Sequence, residues 1–230
     1  MSQCQLLLIR HGQSSNNALP EEERVCDPGL TELGKRQADL VATGLADASI
    51  THLYCSPFRR ALETVRPLAR AKSMSVSVNP HIFERGGCYS GYDRIGKRGE
   101  PGMGHAELVS EYPGWEISDE ISDDGWWGRD FETDQQCHLR AERVARWMTR
   151  ELAPVGGCHA MVIHADFKMI LGPKLLAEGR ASSEELSESS KEFLRAPNNT
   201  GITAFRWSGN GWQLKKYNCT VHLTAAELSV

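Results

Sequence analysis

Short apolar runs recur along this chain at the length of buried strands. Strands are predicted over residues 4–10, Ile50–Cys55, Ser75–Asn79, Ala160–Ile163, Gly201–Trp207 and Trp212–Tyr217. Runs that are continuously apolar, such as Leu6–Ile9, are typical of strands buried on both faces, as in parallel sheets. The last two strands flank Ser208-Gly209-Asn210-Gly211, a turn sequence that predicts a hairpin between them.

Segments with helical periodicity lie between these strands. Thr31 is the expected N-cap of one helix, and Ser56-Pro57 supplies an N-cap and a first-position proline for the next. Asp166 is expected to cap a later helix, in which Gly172-Pro173 should cause a bend or an interruption. Strands that alternate with helices predict an α/β fold, here a three-layer sandwich with a mostly parallel sheet flanked by helices.

The alternation breaks between Phe83 and Gly157. This segment is rich in glycine and acidic residues, and its end, about residues 135–152, has the pattern of a helix. We interpret residues 85–156, approximately, as a lid insertion over the carboxyl ends of the strands. The sequence therefore predicts a single domain over residues 1–230, with this lid as part of it.

Composition and charge exclude several classes of partner. Of the 230 residues, 40% are hydrophobic and 24% charged, and the net charge of −4 argues against broad electrostatic binding of nucleic acid. No stretch approaches the ~18 consecutive apolar residues that a membrane span needs, and no basic segment precedes the first apolar run. We expect a cytoplasmic protein without nucleic-acid or membrane partners, in which the polar stretch 178–197 forms a surface helix or loop.

The cysteines suggest no metal or redox chemistry. All seven are scattered, and none forms a Cys-x-x-Cys pair. This spacing predicts neither a zinc site nor a redox motif, so reduced thiols are expected. Cys88 is close in sequence to a candidate catalytic residue and is the one thiol we consider for reactivity.

Candidate chemistry gathers at the predicted strand ends. Arg10 ends the first predicted strand and His11 follows it, Arg60 comes shortly after the second, and His164 follows Ala160–Ile163. Ligands of open α/β sheets bind beyond the carboxyl ends of the strands, so these side chains converge if the strands are neighbours. Arginine matches phosphate oxygens bidentately, and a helix N-terminus adds N–H donors. The pattern favours a site for a phosphoryl group.

Several motifs in this order resemble the histidine phosphatase superfamily, in its phosphoglycerate mutase-like branch. The motifs are Arg10-His11-Gly12-Gln13-Ser14-(x)2-Asn17, Leu30-Thr31-(x)2-Gly34-(x)2-Gln37-Ala38, Ser56-Pro57-(x)2-Arg60-Ala61-(x)2-Thr64, Phe83-Glu84-Arg85, Val162-Ile163-His164 and Tyr217-Asn218 with His222-Leu223. Each motif alone is modest, but their order and spacing cover most of the chain. The resemblance implies the α/β sandwich fold and an enzyme that transfers phosphoryl groups.

The resemblance also implies roles for individual residues. His11 is the expected nucleophile, which becomes a phosphohistidine, and Glu84 is the expected general acid toward the leaving oxygen and then the base that activates water. The expected ligands of the phosphoryl group are Arg10, Arg60 and His164, and the expected substrate-binding residues are Gln13, Ser14, Asn17 and Arg85. The resemblance implies no metal and no other cofactor, because arginine and histidine supply the positive charge.

Some assignments stay open within this scheme. Glu107 and Glu111 are rivals of Glu84 as the acid, and Arg59 is a rival of Arg60, although the motif places the arginine directly before Ala61. The tryptophans of the insertion, Trp115, Trp126 and Trp127, are expected to pack beneath an acidic lid. The alternative is that Trp126 or Trp127 lines the leaving-group pocket.

The preferred function is hydrolysis of small phosphate monoesters through His11. Phosphoglycerate mutase-type transfer is the first alternative, and a non-catalytic phospholigand-binding regulator is the second. Cys26-Asp27-Pro28-Gly29 stands where a Gly-Trp-Asp segment is typical of the glycolytic mutases, and the lid is acidic, so both features favour hydrolysis. The sequence leaves open the identity of the phosphorylated substrate and the oligomeric state, of which a homodimer is one option.

Overall fold

The computed structural model describes residues 3–178 and 190–230. The strands are β1 (Cys4–Arg10), β2 (His52–Cys55), β3 (Ser77–Val78), β4 (Tyr89–Tyr92), β5 (Gly96–Gly99), β6 (Glu116–Ile117), β7 (Gly157–Ile163), β8 (Ile202–Trp207) and β9 (Trp212–Cys219). The α-helices are α1 (Ser15–Ala18), α2 (Glu32–Gly44), α3 (Arg59–Lys72), α4 (His105–Glu111), α5 (Asp134–Trp147), α6 (Ala153–Val155) and α7 (Ala165–Ala177). A π-helical turn, Met148–Leu152, joins α5 to α6, and single 3₁₀ turns form at Glu21–Glu23, Glu192–Leu194 and Ala225–Glu227.

A seven-stranded sheet runs through the molecule in the order β6-β3-β2-β7-β1-β8-β9. The strands from β6 to β1 are parallel, whereas β8 pairs antiparallel with β1 and β9 antiparallel with β8. The strand β7 lies between β1 and β2, so the carboxyl ends of these three strands meet at one edge. The mostly parallel sheet and the predicted hairpin of β8 and β9 are confirmed.

Helices cover both faces of this sheet. In β1, Leu7 and Ile9 face a hydrophobic cluster that includes residues of α2 and α3, while Leu6 and Leu8 face a second cluster with residues of α5 and α7. Alternate side chains of one strand point to opposite faces, so β1 is buried on both sides. The arrangement has three layers, as the sequence predicted.

The helices α3 and α7 begin at other residues than the sequence predicted. Phe58 is the N-cap of α3, two residues beyond the predicted Ser56, and His164, not Asp166, is the N-cap of α7. Neither N-cap side chain hydrogen bonds to its helix. Carboxylates from distant parts of the chain take that role, as described below. The prediction for Thr31 is confirmed, since its hydroxyl accepts a hydrogen bond from the Gly34 N–H at 3.1 Å.

The helix α7 continues through Gly172-Pro173 without an interruption, which was one of the two outcomes predicted there. Gly172 lies so close to the Phe193 ring that a Cβ atom there would come within 2.0 Å of it. The glycine therefore serves the close packing of the turn Glu192–Leu194 on α7. Most of the stretch 178–197, for which we predicted a surface helix or loop, lies outside the described residues.

The segment that breaks the alternation is partly built into the main sheet. Within it, β4 and β5 form a separate two-stranded hairpin, which the sequence did not predict, and β6 pairs with the edge strand β3. The predicted terminal helix is α5, whose N-cap Thr133 forms a capping box with Gln136. Because β6 belongs to the main sheet, the insertion is attached to the core by backbone hydrogen bonds.

Two further observations concern the chain as a whole. In the part of the chain that the structure describes, no helix is long and apolar enough to cross a membrane. All seven cysteines lie in that part and are unpaired thiols. Burial, followed by the nearby Asp27 carboxylate, raises the pKa of Cys88, so its reactive thiolate form is disfavoured.

Candidate active site

His11 lies just beyond the carboxyl end of β1 and is only 3% exposed. Its Nδ1 is 2.7 Å from the carbonyl oxygen of Gly12, and its Nε2 is 3.2 Å from Nε of Arg60. A carbonyl oxygen only accepts and an arginine N–H only donates, so the proton of the neutral ring is on Nδ1. The lone pair of Nε2 therefore faces the guanidinium of Arg60.

The backbone around His11 is fixed from three neighbouring segments. The His11 N–H donates to the carbonyl oxygen of Ile163 on β7, and its own carbonyl oxygen accepts from Nδ2 of Asn199 at 3.1 Å. The next N–H, that of Gly12, donates to Oγ1 of Thr64 at 2.9 Å, and the Thr64 hydroxyl in turn donates to the Arg60 carbonyl oxygen at 2.6 Å. These bonds tie His11 to the helix that carries Arg60.

Two buried arginines supply positive charge. Arg60, in the first turn of α3, places its guanidinium 4.0 Å from the centre of the Phe58 ring. Arg10 is 5% exposed, and one of its terminal nitrogens donates to the carbonyl oxygen of Pro197 at 2.6 Å. No carboxylate oxygen within residues 3–178 and 190–230 forms an ion pair with either guanidinium, so both keep N–H donors for an anion.

His164 is fully buried at the end of β7 and lies beside His11, with ring centres 5.1 Å apart. Its Nε2 hydrogen bonds to the Ser56 hydroxyl at 2.7 Å, and its Nδ1 has no partner within the described residues. The structure therefore brings together the four residues that the sequence placed at three strand ends. We call Arg10, His11, Arg60 and His164 the strand-end cage.

Burial and neighbouring charge keep both imidazoles neutral. Burial, and then the Arg60 charge, hold the pKa of His11 well below its usual value, although the hydrogen bond to Gly12 opposes this. The pKa of His164 is also well below its usual value, for the same two leading reasons. Only a neutral imidazole has a lone pair, so these shifts keep His11 nucleophilic at neutral pH.

Glu84 lies on the loop after β3 and contacts the first turn of α7. Its Oε1 accepts hydrogen bonds from the N–H groups of Arg85 and Phe167, both at 2.9 Å. Burial and the neighbouring Asp166 raise the pKa of Glu84, while Arg60 and the two N–H groups partly oppose the rise. A carboxyl with a raised pKa beside two cationic side chains fits a proton donor that later acts as a base.

The four expected substrate-binding residues are in different situations. The Ser14 hydroxyl donates to Oδ1 of Asn17 at 3.0 Å, and Oε1 of Gln13 accepts from the Thr31 hydroxyl at 2.8 Å. Arg85 is exposed and pairs with Asp134 at 2.7 Å. A cavity of about 90 Å³ opens at the site, and its lining includes Asn16, Cys26, Phe58, Arg60, Glu84, Arg85 and Tyr89. Of the four residues, only Arg85 is part of that lining.

Trp126 and Trp127 pack beneath this cavity and do not line it. Both are less than a tenth exposed, and Trp126 contacts Phe58 with ring centres 4.7 Å apart. Trp127 lies against Gly87, where a Cβ atom would come within 2.2 Å of the indole. Packing, rather than contact with a leaving group, is the arrangement that the structure shows for both rings.

The rival acids lie on α4 and pair with α3. Glu111 contacts the Arg59 guanidinium at 3.1 Å, and Glu107 lies 3.6 Å from it. Neither carboxylate is part of the cavity lining that holds Glu84. Arg59 is thus directed toward the insertion, whereas Arg60 is directed toward His11.

The comparisons with known proteins agree with this geometry. The family model of the histidine phosphatase superfamily (branch 1) matches residues 6–220. The chain belongs to that superfamily. Among solved structures, phosphoserine phosphatase from Entamoeba histolytica has a similar fold, with a TM-score of 0.63. The two chains are 21% identical, and the match covers 96% of this chain and 100% of the other.

Curated members of the superfamily include both phosphatases and mutases among their names. A probable phosphoglycerate mutase GpmB from Yersinia enterocolitica is 27% identical over 95% of this chain and 94% of its own length. Phosphoserine phosphatase 1 from Hydrogenobacter thermophilus is 35% identical, but over 34% of this chain and 37% of its own length. The chain thus spans little more than a third of that second relative.

Sequence reasoning missed one carboxylate at the site of this superfamily member. Asp27 accepts a hydrogen bond from the N–H of Arg59 at 2.9 Å and so caps α3. Burial raises the pKa of Asp27 to about 6, although the Arg60 charge opposes the rise. The family motifs gave Asp27 no role. Its capping role is visible only in the structure, where Asp27 lies at the N-terminus of a helix whose own N-cap residue, Phe58, makes no capping hydrogen bond. Within the described residues, no group of three or more potential ligands is placed to hold a metal.

Proposed function

We propose that this protein is a phosphatase that hydrolyses small phosphate monoesters through a phosphohistidine on His11. The observation that carries the proposal is the tautomer of His11, with Nδ1–H on the Gly12 carbonyl and the Nε2 lone pair beside Arg60. The phosphatases and mutases among its relatives are consistent with chemistry on a phosphate ester. The small cavity lined by Arg60, Glu84 and Arg85 supports a small ester as the substrate.

In the first step, Nε2 of His11 attacks phosphorus while the bond to the leaving oxygen breaks. The phosphoryl oxygens bind Arg10, Arg60 and His164, which stabilise the charge that the transition state spreads over those oxygens. Protonated Glu84 gives its proton to the leaving oxygen. The Gly12 carbonyl stabilises the positive charge that develops on the imidazole through the Nδ1–H bond.

In the second step, water replaces the alcohol. Ionised Glu84 takes a proton from the water, whose oxygen attacks phosphorus as the bond to Nε2 breaks. Inorganic phosphate leaves, and both His11 and Glu84 return to their starting protonation states. Division into two displacements allows one carboxyl to act as acid and then as base.

Intermediate trapping tests this proposal. The protein is quenched in base during turnover of p-nitrophenyl phosphate, and the intact mass is measured. We expect one phosphoryl group that is stable in base and lost in acid, and its absence in His11→Ala. His81→Ala is the matched control, because His81 is a half-exposed histidine whose ring pairs with Glu120, outside the strand-end cage. A His11→Ala protein with undiminished turnover would overturn the proposal.

Phosphoglycerate mutase-type transfer is a second candidate, which the full-length match to a probable phosphoglycerate mutase favours. A mutase keeps its phosphohistidine from water long enough to return the group to a substrate. Release of phosphate and interconversion of 2- and 3-phosphoglycerate are therefore measured side by side on one preparation. We expect phosphate release to be faster than interconversion. Interconversion that is faster than phosphate release would favour the mutase.

A further inference from the structure

A buried arginine outside the strand-end cage contacts the loop that carries Glu84. Arg140 lies on α5 and is 1% exposed. Its Nε and one terminal nitrogen form a bidentate pair with Glu132, at 2.8 and 2.7 Å. The other terminal nitrogen donates to the carbonyl oxygens of His81 and Phe83, both at 3.0 Å.

The contacts of this ion pair surround Glu84 on both sides along the chain. The Phe83 carbonyl belongs to the peptide bond that leads directly into Glu84. On the other side, the carbonyl oxygen of Gly86 accepts a hydrogen bond from the Glu132 N–H at 3.0 Å. The loop is thus fixed just before and just after the candidate acid by the two members of one ion pair.

The guanidinium of Arg140 also packs against the aromatic rings of Phe83 and Phe167. Its central carbon is 3.6 Å from the centre of the Phe83 ring and 4.0 Å from that of Phe167. The N–H of Phe167 is one of the donors to the Glu84 carboxylate. Arg140 therefore contacts the residue before Glu84 and the residue whose backbone holds its carboxylate.

Stability alone is a weak reason for this arrangement. A buried ion pair is on average no more stabilising than apolar side chains of the same volume, because both charges lose their hydration. Here the guanidinium directs two of its hydrogen bonds to carbonyl oxygens of the Glu84 loop. What the pair adds over an apolar core is a fixed path for that loop.

We propose that Arg140, with Glu132 as its partner, is a positioning residue for Glu84, which orients the carboxyl toward the leaving oxygen of the substrate. The inference rests on the proposed function, in which Glu84 is the general acid. It adds that the insertion takes part in the reaction through α5, far along the chain from the strand-end cage. The contacts predict that loss of Arg140 affects proton donation more than phosphoryl binding.

Two esters separate these effects. Nitrophenolate leaves without much protonation, whereas the alkoxide of glycerol 2-phosphate needs the acid, so kcat/KM is measured for p-nitrophenyl phosphate and for glycerol 2-phosphate. The reference variant is Glu84→Gln, for which we expect a loss of about 10²-fold or more with the alkyl ester and at most about 10-fold with the aryl ester. Arg140→Lys should lose about 10-fold with the alkyl ester and about 2-fold with the aryl ester, as a misplaced acid predicts.

A second variant keeps the test valid if a single change unfolds the protein. The double variant Glu132→Leu/Arg140→Met leaves no unpaired buried charge, so we expect it to fold, which circular dichroism checks. Its kcat/KM for glycerol 2-phosphate should fall by about 10-fold or more, with a smaller decrease for p-nitrophenyl phosphate. Arg143→Lys is the matched control, since Arg143 is an exposed arginine on the same helix, and its ratio of the two rates should equal that of the wild type.

The outcomes distinguish the inference from the function on which it rests. If Glu84→Gln loses both esters equally, the acid role of Glu84 is wrong, and the positioning role falls with it. A second outcome is that Glu84→Gln lowers kcat/KM mainly for the alkyl ester, while the folded double variant lowers it for neither ester or for both equally. In that case Arg140 is merely structural, and the inference alone is overturned. A selective loss in both kinds of variant supports the positioning role.

Discussion

The strand-end cage and the insertion hold their charged residues in opposite ways. In the cage, buried arginine and histidine side chains are tied to backbone carbonyls or to a hydroxyl of neighbouring segments, as Arg10 is to Pro197 and His164 is to Ser56. In residues 85–156, most of the charges are at the surface, as in the pair of Lys97 and Asp93, while aromatic rings fill the interior. The cage is thus built to attract an anion, and the insertion is built to pack.

This difference assigns separate tasks to the two regions. In the proposed function, the main sheet fixes the atoms that bind the phosphoryl group, which every phosphate ester shares. The insertion contributes Tyr89 and Gly87 to the cavity and holds Glu84 through Arg140. Changes in the insertion should therefore alter stability or the choice of leaving group, and changes in the cage should alter reaction with every ester.

The largest effect is expected in the aromatic interior of the insertion. Trp127→Ala removes a ring that packs on Phe83, with centres 4.9 Å apart, and on Gly87. The unfolding free energy should fall by about 3–5 kcal/mol, as for other buried aromatic residues. Chemical denaturation measures it. Under conditions in which the variant is still folded, its relative rates across a panel of esters should equal those of the wild type. A selective change for one ester would show that Trp127 contacts the leaving group.

A slightly smaller effect is expected in the cage. Arg60→Met removes the charge beside Nε2 of His11 and should lower kcat/KM about 10²–10³-fold for aryl and alkyl esters alike. The pKa of His11 should rise, because the Arg60 charge is one cause of its lowered value. NMR titration of the imidazole measures this shift. A lower pKa, or a loss confined to one class of ester, would contradict the separation of tasks.

The effect of Asp27, which caps α3, on the unfolding free energy should depend on pH. The pKa of Asp27 is raised to about 6 from 3.8, so folding binds its proton more tightly and the charged form destabilises the folded state. Relative to Asp27→Asn, the wild type should lose up to about 3 kcal/mol of unfolding free energy as the pH rises from 4 to 7. Denaturation curves of both proteins at several pH values measure the difference between their unfolding free energies. A difference that stays constant with pH would disprove the prediction.

The smallest effect is expected at the rim of the cavity. Arg85→Ala removes an exposed guanidinium paired with Asp134, so the unfolding free energy should change by less than about 1 kcal/mol. The KM of esters with a second anionic group should rise about 3–10-fold, while that of p-nitrophenyl phosphate should not change. Arg98→Ala on the neighbouring hairpin is the matched exposed control. Equal changes for both kinds of ester would remove Arg85 from substrate recognition.

The sequence predicted the strands that carry the cage because their apolar runs are continuous and end at punctuating residues. Leu6–Ile9 and Ala160–Ile163 both fall within observed strands, β1 and β7. The motifs also brought forward the four cage residues, since each ends a strand, directly follows one or lies in the first helical turn after one. Local sequence is sufficient where a residue's place depends on its immediate neighbours.

The failures have the opposite origin. Ser56 and Asp166 have the local features of N-caps, but the helices begin elsewhere because carboxylates from other segments, Asp27 and Glu84, accept hydrogen bonds from their N–H groups. The hairpin of β4 and β5 was also missed, since Tyr89–Gly99 contains little periodicity and three glycines. Caps from distant segments and short glycine-rich strands are set by tertiary contacts, which no window of sequence contains.

The place of β7 in the sheet has a consequence for the order of events during synthesis. Within residues 3–178 and 190–230, β1 pairs only with β7 and β8, and β2 pairs with β3 and β7. A growing chain that ends before Gly157 therefore has neither of these partners of β1. Pairings this distant in sequence form late, because a long loop must close first. His11 therefore emerges early from the ribosome, but its place at the sheet edge is fixed only after β7 has been made, because its N–H donates to the carbonyl oxygen of Ile163.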